Sequence, residues 1–398
     1  MNLLFISTTF PDASSPARGT YNAALCRSLA KSHTVQVIAP RMFSEAWKHR
    51  GPFELPSDLA AAGVQADYPT YWYTPKVLQH CYGDQMWWSI RSCLRRVLDR
   101  FQPDAVLSYF AHPDGQVGQQ AAELCGVPSA VIVGGTDVLV LPQQRRRGAA
   151  VRRVLERTTR VMTVSEGLRQ RCLALGCQPD QVQTIYQGID PQVFHAHNRA
   201  ASRRKLGLSD DEQVLLWVGR MVPIKGLDLL LNACTHLKKS NPRARLHLLG
   251  DGPSRRDLEQ RTTALGLNDV VQFHGAVGHD HLADWYRAAD ASVLTSLSEG
   301  LPNVFREALA CGTPFVSTDV GSIREIADPA YARCVTGRDP LEFAQAVQDI
   351  LQPEYREAAE MYAPRTWDDC AAEVVELLSP RSTTVSAKPV PQVLSTGR

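Results

Sequence analysis

The sequence has no long hydrophobic run. No uncharged apolar stretch approaches the ~18 residues that a membrane-spanning helix requires. The opening run, MNLLFISTTF, has only a few apolar residues and follows no basic segment, so it predicts a buried strand rather than a signal peptide. We therefore expect a cytoplasmic protein.

The sequence also lacks paired cysteines and metal-binding clusters. Its 10 cysteines are scattered without a C-x-x-C pair, which predicts free thiols in a reducing compartment. Two His-x-His pairs, His195 with His197 and His279 with His281, have no cysteine or carboxylate at a typical ligand spacing. We therefore expect no metal ion and no bound cofactor.

A dinucleotide-binding fingerprint is missing as well. The segment after the first predicted strand, TTFPDASSPARGTYN, contains Gly19 as its only glycine, so no G-x-G-x-x-G motif is present there. The second strand ends in Ala39 and Pro40 instead of an acidic residue that holds a ribose. Both absences argue against a nicotinamide-dependent dehydrogenase.

Short apolar runs alternate with helical patterns along most of the 398 residues. Such alternation predicts an α/β protein with parallel sheets, and two successive series predict two Rossmann-like, doubly wound domains that face each other across a cleft. The runs in the first half are NLLFIS, TVQVIAP, AVLSYF, SAVIVGG and RVMTVS, and those in the second half are VLLWVGR, RLHLLGDG, VVQFHG, ASVLTS and TPFVST.

The domain boundary is expected near YQGIDPQVFHAH (186–197), where Gly, Asp and Pro cluster. We predict an amino-terminal domain over 1–190 and a carboxy-terminal domain over 191–365. A helix over 366–379 is expected to pack back on the amino-terminal domain. The Ser-, Thr- and Pro-rich segment 380–398 is predicted to be disordered. Ligands of such sheets bind at the carboxyl ends of the strands, so the cleft is the expected site.

The stretch SEGLPNVFREALACGTP (298–314) places acidic residues around a short helix. Pro302 suits the first helical position and Gly312 suits the stop. Glu307 lies at the edge of the apolar face, where a charge needs a partner. The helix start favours an anion, so Glu299 and Glu307 are candidates to hold the neutral hydroxyls of an anionic ligand. The alternative is a structural role, with Glu307 paired to an arginine such as Arg324.

The stretch VGRMVPIKG (218–226) places Arg220 and Lys225 on a loop between a strand and a helix. Two cations at a strand end are often solvated surface residues. Beside an anion-binding helix start, they also have the character of a clamp for a diphosphate.

These stretches together resemble the family 4 retaining glycosyltransferases, which have the glycosyltransferase B fold. The matching segments cover nearly the whole chain in order, and Glu299 and Glu307 form the E-x(7)-E element of that family. The segments are FP…P…RGTY (10–21), VSEGLR (164–169), QGIDPQVF (187–194), VGRMVPIKG, LLGDGP (248–253), FHGAV (273–277) and 288–326.

The resemblance implies roles for individual residues. Arg220 and Lys225 would neutralise the donor diphosphate, Glu299 would contact the transferred sugar, and Glu307 would bind the ribose of the nucleotide. Transfer would proceed without a metal ion. Backbone groups near the donor would come from Gly19, Gly219, Gly300, Leu301, Pro302, Asn303 and Val304.

One segment departs from the family. Many members have a histidine in a V-H-G-x-D pattern, whereas this chain has Gly134 at that place in VIVGGTDVL (131–139). We expect the small residue to leave space for a bulkier sugar or for His112 from SYFAHPDG (108–115). His112 is therefore a candidate catalytic residue, and the alternative is a loop histidine without a role.

The sequence contains less specific signals for acceptor binding. Two segments are candidates for contact with anionic lipid or a lipid-linked acceptor: a helix with paired tryptophans (86–101) and an arginine-rich segment (143–160). The alternative is that these charged residues only form solvated faces. The expected function is retaining transfer of a sugar from a nucleotide diphosphate sugar to a glycan or lipid-linked acceptor in the cytoplasm or on the inner membrane face. A nucleotide-sugar 2-epimerase and a noncatalytic sugar-nucleotide-binding protein are the alternatives. No nucleic-acid partner is expected.

Overall fold

The computed structural model describes residues 1–49 and 51–379. The predicted disordered tail, 380–398, lies outside the described residues. The first half of the chain forms strands β1 Asn2–Ile6, β2 Thr34–Ile38, β3 Arg41–Met42, β4 Val64–Asp67, β5 Thr70–Tyr71, β6 Ala105–Tyr109, β7 Ser129–Val133, β8 Arg160–Thr163 and β9 Val182–Thr184.

Seven of these strands form one parallel sheet in the order β4-β2-β1-β6-β7-β8-β9, while β3 and β5 pair separately. The sheet is covered on both faces, which explains why its central strands are continuous apolar runs. Along β1, Leu3 and Phe5 join one buried cluster while Leu4 and Ile6 join another on the opposite face.

The helices of the first half connect these strands. They are α1 Thr20–Ala30, α2 Phe43–Lys48, α3 Ser57–Ala61, α4 Tyr82–Phe101, α5 Gln116–Cys125, α6 Thr136–Leu139, α7 Arg145–Arg157 and α8 Glu166–Ala174.

The second half repeats the arrangement. Its six-stranded parallel sheet has the order β12-β11-β10-β13-β14-β15. The strands are β10 Gln213–Val218, β11 Ala244–Leu249, β12 Val271–Gly275, β13 Ala291–Leu294, β14 Phe315–Thr318 and β15 Ala332–Val335. The helices are α9 Arg199–Leu206, α10 Leu227–Ser240, α11 Arg255–Ala264, α12 His279–Ala288, α13 Asn303–Ala310, α14 Pro340–Ile350, α15 Pro353–Glu360 and α16 Trp367–Leu378. The predicted α/β class with two doubly wound units is confirmed.

The last helix returns to the first sheet. Cys370, Val374 and Leu377 of α16 are buried in the core of the amino-terminal unit, and Lys31, directly after α1, pairs with Asp368 at 2.8 Å. The chain therefore passes between the two units twice.

The two passages lie side by side. Ile189 forms a parallel bridge with Thr366, and its N–H donates to the carbonyl of Arg365 at 2.8 Å. A β-carbon on Gly188 would lie 2.1 Å from the backbone nitrogen of Trp367, so only glycine permits this approach.

Candidate active site in the cleft

The site begins at helix α13, which opens without a side-chain cap. Pro302 occupies the N-cap and has no side-chain hydrogen-bonding group, although its carbonyl accepts from the N–H of Phe305 at 3.3 Å. The N–H groups of Asn303 and Val304 have no acceptor among the described residues, so they are available to a ligand. The prediction that Pro302 is the first helical residue is wrong by one position, because its ψ of 107° is extended. The helix ends where expected, since Gly312 adopts a positive φ of 76° directly after the last turn.

Lys225 and Glu299 meet in front of this helix. Lys225 Nζ donates to Glu299 Oε1 at 2.6 Å, and Ser296 Oγ donates to the same oxygen at 2.5 Å. The second oxygen, Oε2, accepts no hydrogen bond from any residue that the structure describes. One oxygen is therefore fixed by the protein, and the other has no partner among the described residues.

The meeting depends on close packing of two loops. Gly226 has a φ of 59°, and a β-carbon there would lie 2.2 Å from the Thr295 carbonyl oxygen. The N–H of Leu297 donates to the carbonyl of Ile224 at 2.8 Å. These contacts bring the turn Pro223–Lys225 against the loop that carries Glu299.

Glu307 is held in a similar manner. Tyr286 of α12 donates its hydroxyl to Glu307 Oε2 at 2.9 Å, while Oε1 has no partner among the described residues. The residue remains partly exposed to the cleft, but protein atoms surround its carboxyl group densely. This burial raises the pKa of Glu307 to about 7. The alternative pairing with Arg324 is wrong, because Arg324 binds Asp319 at 2.9 Å.

Two other predicted residues directly follow strand β10. Gly219 follows β10, and its N–H donates to the Leu249 carbonyl at 3.0 Å. The side chain of Arg220, next in the chain, is exposed, and no described carboxylate lies within ion-pair distance of it. Arg338 lies outside every motif quoted from the sequence, yet it donates to the Thr295 carbonyl at 3.1 Å and thereby supports the loop before Glu299.

The amino-terminal unit supplies the opposite wall. Gly19 has a φ of 62°, and a β-carbon there would lie 2.2 Å from the Thr9 carbonyl oxygen, so the first loop folds tightly before α1. A β-carbon on Gly300 would lie 3.9 Å from the carbonyl oxygen of Gly134, which shows how closely the two walls approach.

Two buried carboxylates shape this wall. Asp137 accepts N–H bonds from Ala111, Gly134 and Gly135 at 3.0 to 3.1 Å. Asp114 accepts from the N–H of Thr8 at 2.6 Å. Burial raises the pKa of Asp114 to about 7 and that of Asp137 to about 6. Together they bind the segments that follow β1, β6 and β7.

The predicted space beside Gly134 is absent. A β-carbon at that position would lie 2.5 Å from the Tyr109 hydroxyl and 2.7 Å from the Phe110 ring, so these side chains occupy the place. His112 does not fill it either. The ring of His112 is 3% exposed, and its Nε2 accepts from the N–H of Gly83 on α4 at 3.3 Å. Burial lowers the pKa of His112 to about 4, which favours the neutral form.

A cavity of about 480 Å³ lies between the two units. Asn303 and Glu307 line it from the carboxy-terminal side, whereas Thr20 and Tyr21 line it from the amino-terminal side. Asn303 also donates to the side chain of Gln187 at 2.8 Å, so the start of helix α13 contacts the segment that connects the units.

Several of these contacts could not be predicted from the sequence. Asp114, Gln187 and Asp137 lie in the quoted segments SYFAHPDG, QGIDPQVF and VIVGGTDVL, whereas Tyr286 lies in no quoted motif. None of these patterns identifies the distant residue that each side chain contacts. Within the described ranges, no three His, Cys, Asp or Glu side chains form a group that fits a metal ion, and no helix is long and apolar enough to cross a bilayer.

Two family models match the chain. The model described as Glycosyltransferase Family 4 matches residues 19–193, and the model described as Glycosyl transferases group 1 matches residues 198–366. A relative described as D-inositol 3-phosphate glycosyltransferase 2, from Catenulispora acidiphila, is 34% identical over 67% of this chain and 68% of its own. The chain spans 57 to 68% of the length of the first curated relatives.

Solved structures share the fold. Sucrose-phosphate synthase from Thermosynechococcus elongatus has a TM-score of 0.76 at 21% identity, covering 95% of this chain and 98% of its own. Anabaena HepE in complex with UDP and glucose has a TM-score of 0.72 at 17% identity, covering 95% and 99%. At these identities the likeness concerns the fold.

Proposed function

The chain belongs to glycosyltransferase family 4, and from this premise we propose that it transfers one sugar from a nucleotide diphosphate sugar to a glycan or lipid-linked acceptor. The transfer retains the configuration of the sugar and serves polysaccharide or glycoconjugate synthesis in the cytoplasm. The observation that carries the proposal is the paired arrangement of Glu299 and Glu307. Each has one oxygen held by the protein and one left for a ligand, on either side of an uncapped helix start.

This arrangement suits a sugar diphosphate. The helix start and Lys225 favour the anionic diphosphate, Glu299 binds the hydroxyls of the transferred sugar, and Glu307 binds the ribose diol. Cleavage of the sugar–phosphate bond develops negative charge on the leaving group, which fixed cations such as Lys225 and Arg220 stabilise. In front-face attack, the leaving phosphate accepts the proton of the acceptor hydroxyl. The site therefore needs no metal ion and no separate protein base.

The proposal is tested with labelled nucleotide sugars in the presence and absence of acceptor. The nucleotide is first chosen by thermal shift with UDP, GDP and ADP, since binding to the folded state raises the melting temperature. We expect labelled product only when acceptor is added. Epimerised sugar nucleotide without acceptor, or tight binding without any turnover, would overturn the assignment.

The raised pKa of Glu307 predicts pH-dependent donor binding. Below pH 7 the carboxyl group is mostly protonated and accepts fewer hydrogen bonds from the ribose, whereas above pH 7 it is ionised. The dissociation constant of the nucleotide sugar should therefore be about tenfold larger at pH 6 than at pH 8, which means weaker binding at pH 6. Calorimetry with the nucleotide sugar suits the measurement, because its diphosphate keeps a constant charge over this range.

The matched control is Glu307→Gln, which retains an acceptor for Tyr286. This variant should bind the nucleotide sugar weakly and with little dependence on pH. A wild-type protein whose affinity is the same at pH 6 and pH 8 would contradict the role of the ionised carboxylate.

An exposed surface beside the amino-terminal sheet supports contact with anionic lipid. Trp72 and Trp88 are 63% and 62% exposed, and Val77 and Leu78 are also exposed. The guanidinium carbon of Arg91 lies 4.1 Å from the centre of the Trp88 ring. We call these five residues the tryptophan–arginine surface.

The tryptophan–arginine surface is continuous with other basic residues. The N–H of Trp72 donates to Ser89 on α4, next to Trp88. Arg147, in the arginine run that opens α7, donates to Gln79, next to Leu78. Exposed tryptophans flanked by arginines suit the interface of an anionic bilayer. Peripheral binding there would place the cleft near a lipid-linked acceptor.

We expect the protein to float with anionic vesicles at low salt and less so at moderate salt. Replacing Arg91 with alanine should weaken vesicle binding about fivefold, because each basic residue near such a surface contributes about 1 kcal/mol. The control is Arg333→Ala, because Arg333 stacks in the same way over Tyr355 in the carboxy-terminal unit. No flotation at either salt concentration would remove membrane contact from the proposal.

A further inference from the structure

Glu325 links the two units through one carboxylate. It lies in the short turn Ile323–Glu325 after β14, yet its oxygens contact the amino-terminal unit. Oε2 accepts from the N–H of Glu166 at 2.8 Å, and Oε1 accepts from the N–H of Gly167 at 3.0 Å. Tyr186 also donates its hydroxyl to Oε2 at 2.9 Å.

These contacts complete the start of helix α8. Ser165, the N-cap residue, accepts from the N–H of Leu168, while Glu325 accepts from the two N–H groups before it. Helix α8 therefore receives part of its cap from the other unit. A carboxylate is favourable there because the helix dipole and the unpaired N–H groups both attract negative charge.

The same turn is packed against the donor loop. The N–H of Ser322 donates to the carbonyl of Gly300 at 3.0 Å. Gly321 has a φ of 60°, and a β-carbon there would lie 2.0 Å from the carbonyl oxygen of Glu299. The backbone of the sugar-contacting residue is thus in direct contact with the turn that ends in Glu325.

The junction between the units is equally close. A β-carbon on Gly167 would lie 2.5 Å from the hydroxyl of Ser322. The path from Glu299 to helix α8 therefore consists of short backbone contacts followed by the Glu325 carboxylate. These contacts form a direct route by which a shift of the loop that carries Glu299 can reach Glu325 and α8.

We propose that Glu325 is a positioning residue that holds the cleft closed and couples the occupied donor loop to the acceptor wall. The inference rests on the proposed function and deepens it. In the closed cleft the Gly134 wall faces Gly300, water is excluded from the sugar–phosphate bond, and the acceptor hydroxyl is aligned for attack. Release of Glu325 opens the cleft without removing any group that binds the donor.

The test compares Glu325→Ala with Glu354→Ala. Glu354 is an exposed glutamate in the first turn of α15, within its own unit. We expect Glu325→Ala to lower kcat/KM for the acceptor by about 10- to 100-fold. Its affinity for the nucleotide sugar should stay within about threefold of wild type, because Lys225, Glu299 and Glu307 are intact. The ratio of donor hydrolysis to transfer should rise.

A second measurement does not depend on activity. Small-angle X-ray scattering should give Glu325→Ala a larger radius of gyration than wild type and Glu354→Ala, since the units separate. Tyr186→Phe, which removes one of the three bonds, should give a smaller effect in the same direction.

The outcomes are distinct. The proposal is overturned if Glu325→Ala matches Glu354→Ala in acceptor kinetics, hydrolysis ratio and radius. It is also overturned if donor affinity and melting temperature fall together with activity, since Glu325 would then serve stability alone. If the wild-type protein transfers no sugar, the proposed function is wrong. The radius of gyration of Glu325→Ala still tests the role of Glu325 in that case, because scattering does not depend on activity.

Discussion

Replacing Lys225 with alanine should lower the rate of sugar transfer by roughly 30- to 1000-fold, which corresponds to about 2–4 kcal/mol of transition-state stabilisation. The ammonium group is fixed before the donor arrives, because Glu299 accepts its hydrogen bond at 2.6 Å and tight loop packing at Gly226 holds the turn. A preorganised cation stabilises the leaving diphosphate without a cost of reorientation. Single-turnover rates at saturating donor give the effect directly.

The chain offers a matched control in Lys238. This lysine pairs with Asp269 at the same distance, 2.6 Å, but lies at the end of α10. Lys238→Ala should leave the transfer rate within about twofold of wild type. A Lys225→Ala protein that also keeps the wild-type rate would show that Lys225 does not bind the leaving group.

Replacing Glu299 with glutamine should lower kcat by about 100-fold while the affinity for the nucleoside diphosphate alone stays nearly unchanged. The reason is that Glu299 is proposed to bind the sugar through Oε2, whereas the nucleoside diphosphate lacks the sugar. Glutamine keeps the shape of the side chain and an oxygen that can accept from Lys225, but it loses the negative charge that strengthens hydrogen bonds from the sugar hydroxyls. Calorimetry measures the affinity for the nucleoside diphosphate, and steady-state rates with the nucleotide sugar measure kcat, so the two effects can be separated.

The double variant of Lys225 and Glu299 sharpens this test. Because the two side chains are in contact, their effects should not add, and the shortfall should be about 1–3 kcal/mol. Glu259→Gln is the control, since Glu259 pairs with Arg255 on the exposed face of α11. Additive effects would contradict the coupling between Lys225 and Glu299. A loss of nucleoside diphosphate affinity in Glu299→Gln as large as the loss in kcat would contradict the assignment of Glu299 to the sugar.

The central strands were predictable because burial on both faces makes them continuous apolar runs. Strands β4, β9 and β15 were not identified from the sequence. Each is only three or four residues long and lies at the edge of its sheet, where some of its residues are partly exposed and the apolar run is interrupted. The pairing of Lys225 with Glu299 was also not predicted. The motifs that contain Lys225 and Glu299 are separate in sequence, and the distance between the two side chains depends on how the two loops pack.

The prediction for Gly134 fails for a related reason. Absence of a side chain at one position does not create space when neighbours from the preceding strand fill it, as Tyr109 and Phe110 do. Glu325 illustrates the same limit: its three partners lie 139 to 159 residues away in sequence, and local pattern carries no information about them.

The return of helix α16 to the amino-terminal sheet affects how hybrids with related transferases have to be built. A chimera joined only near Ile189 would combine a foreign amino-terminal half with a helix α16 whose side chains fit the original one. Cys370, Val374 and Leu377 would then face an unmatched groove, and Asp368 would lose Lys31. Exchange of the amino-terminal half between relatives therefore requires two junctions, so that residues 367–378 are exchanged together with the half against which they pack.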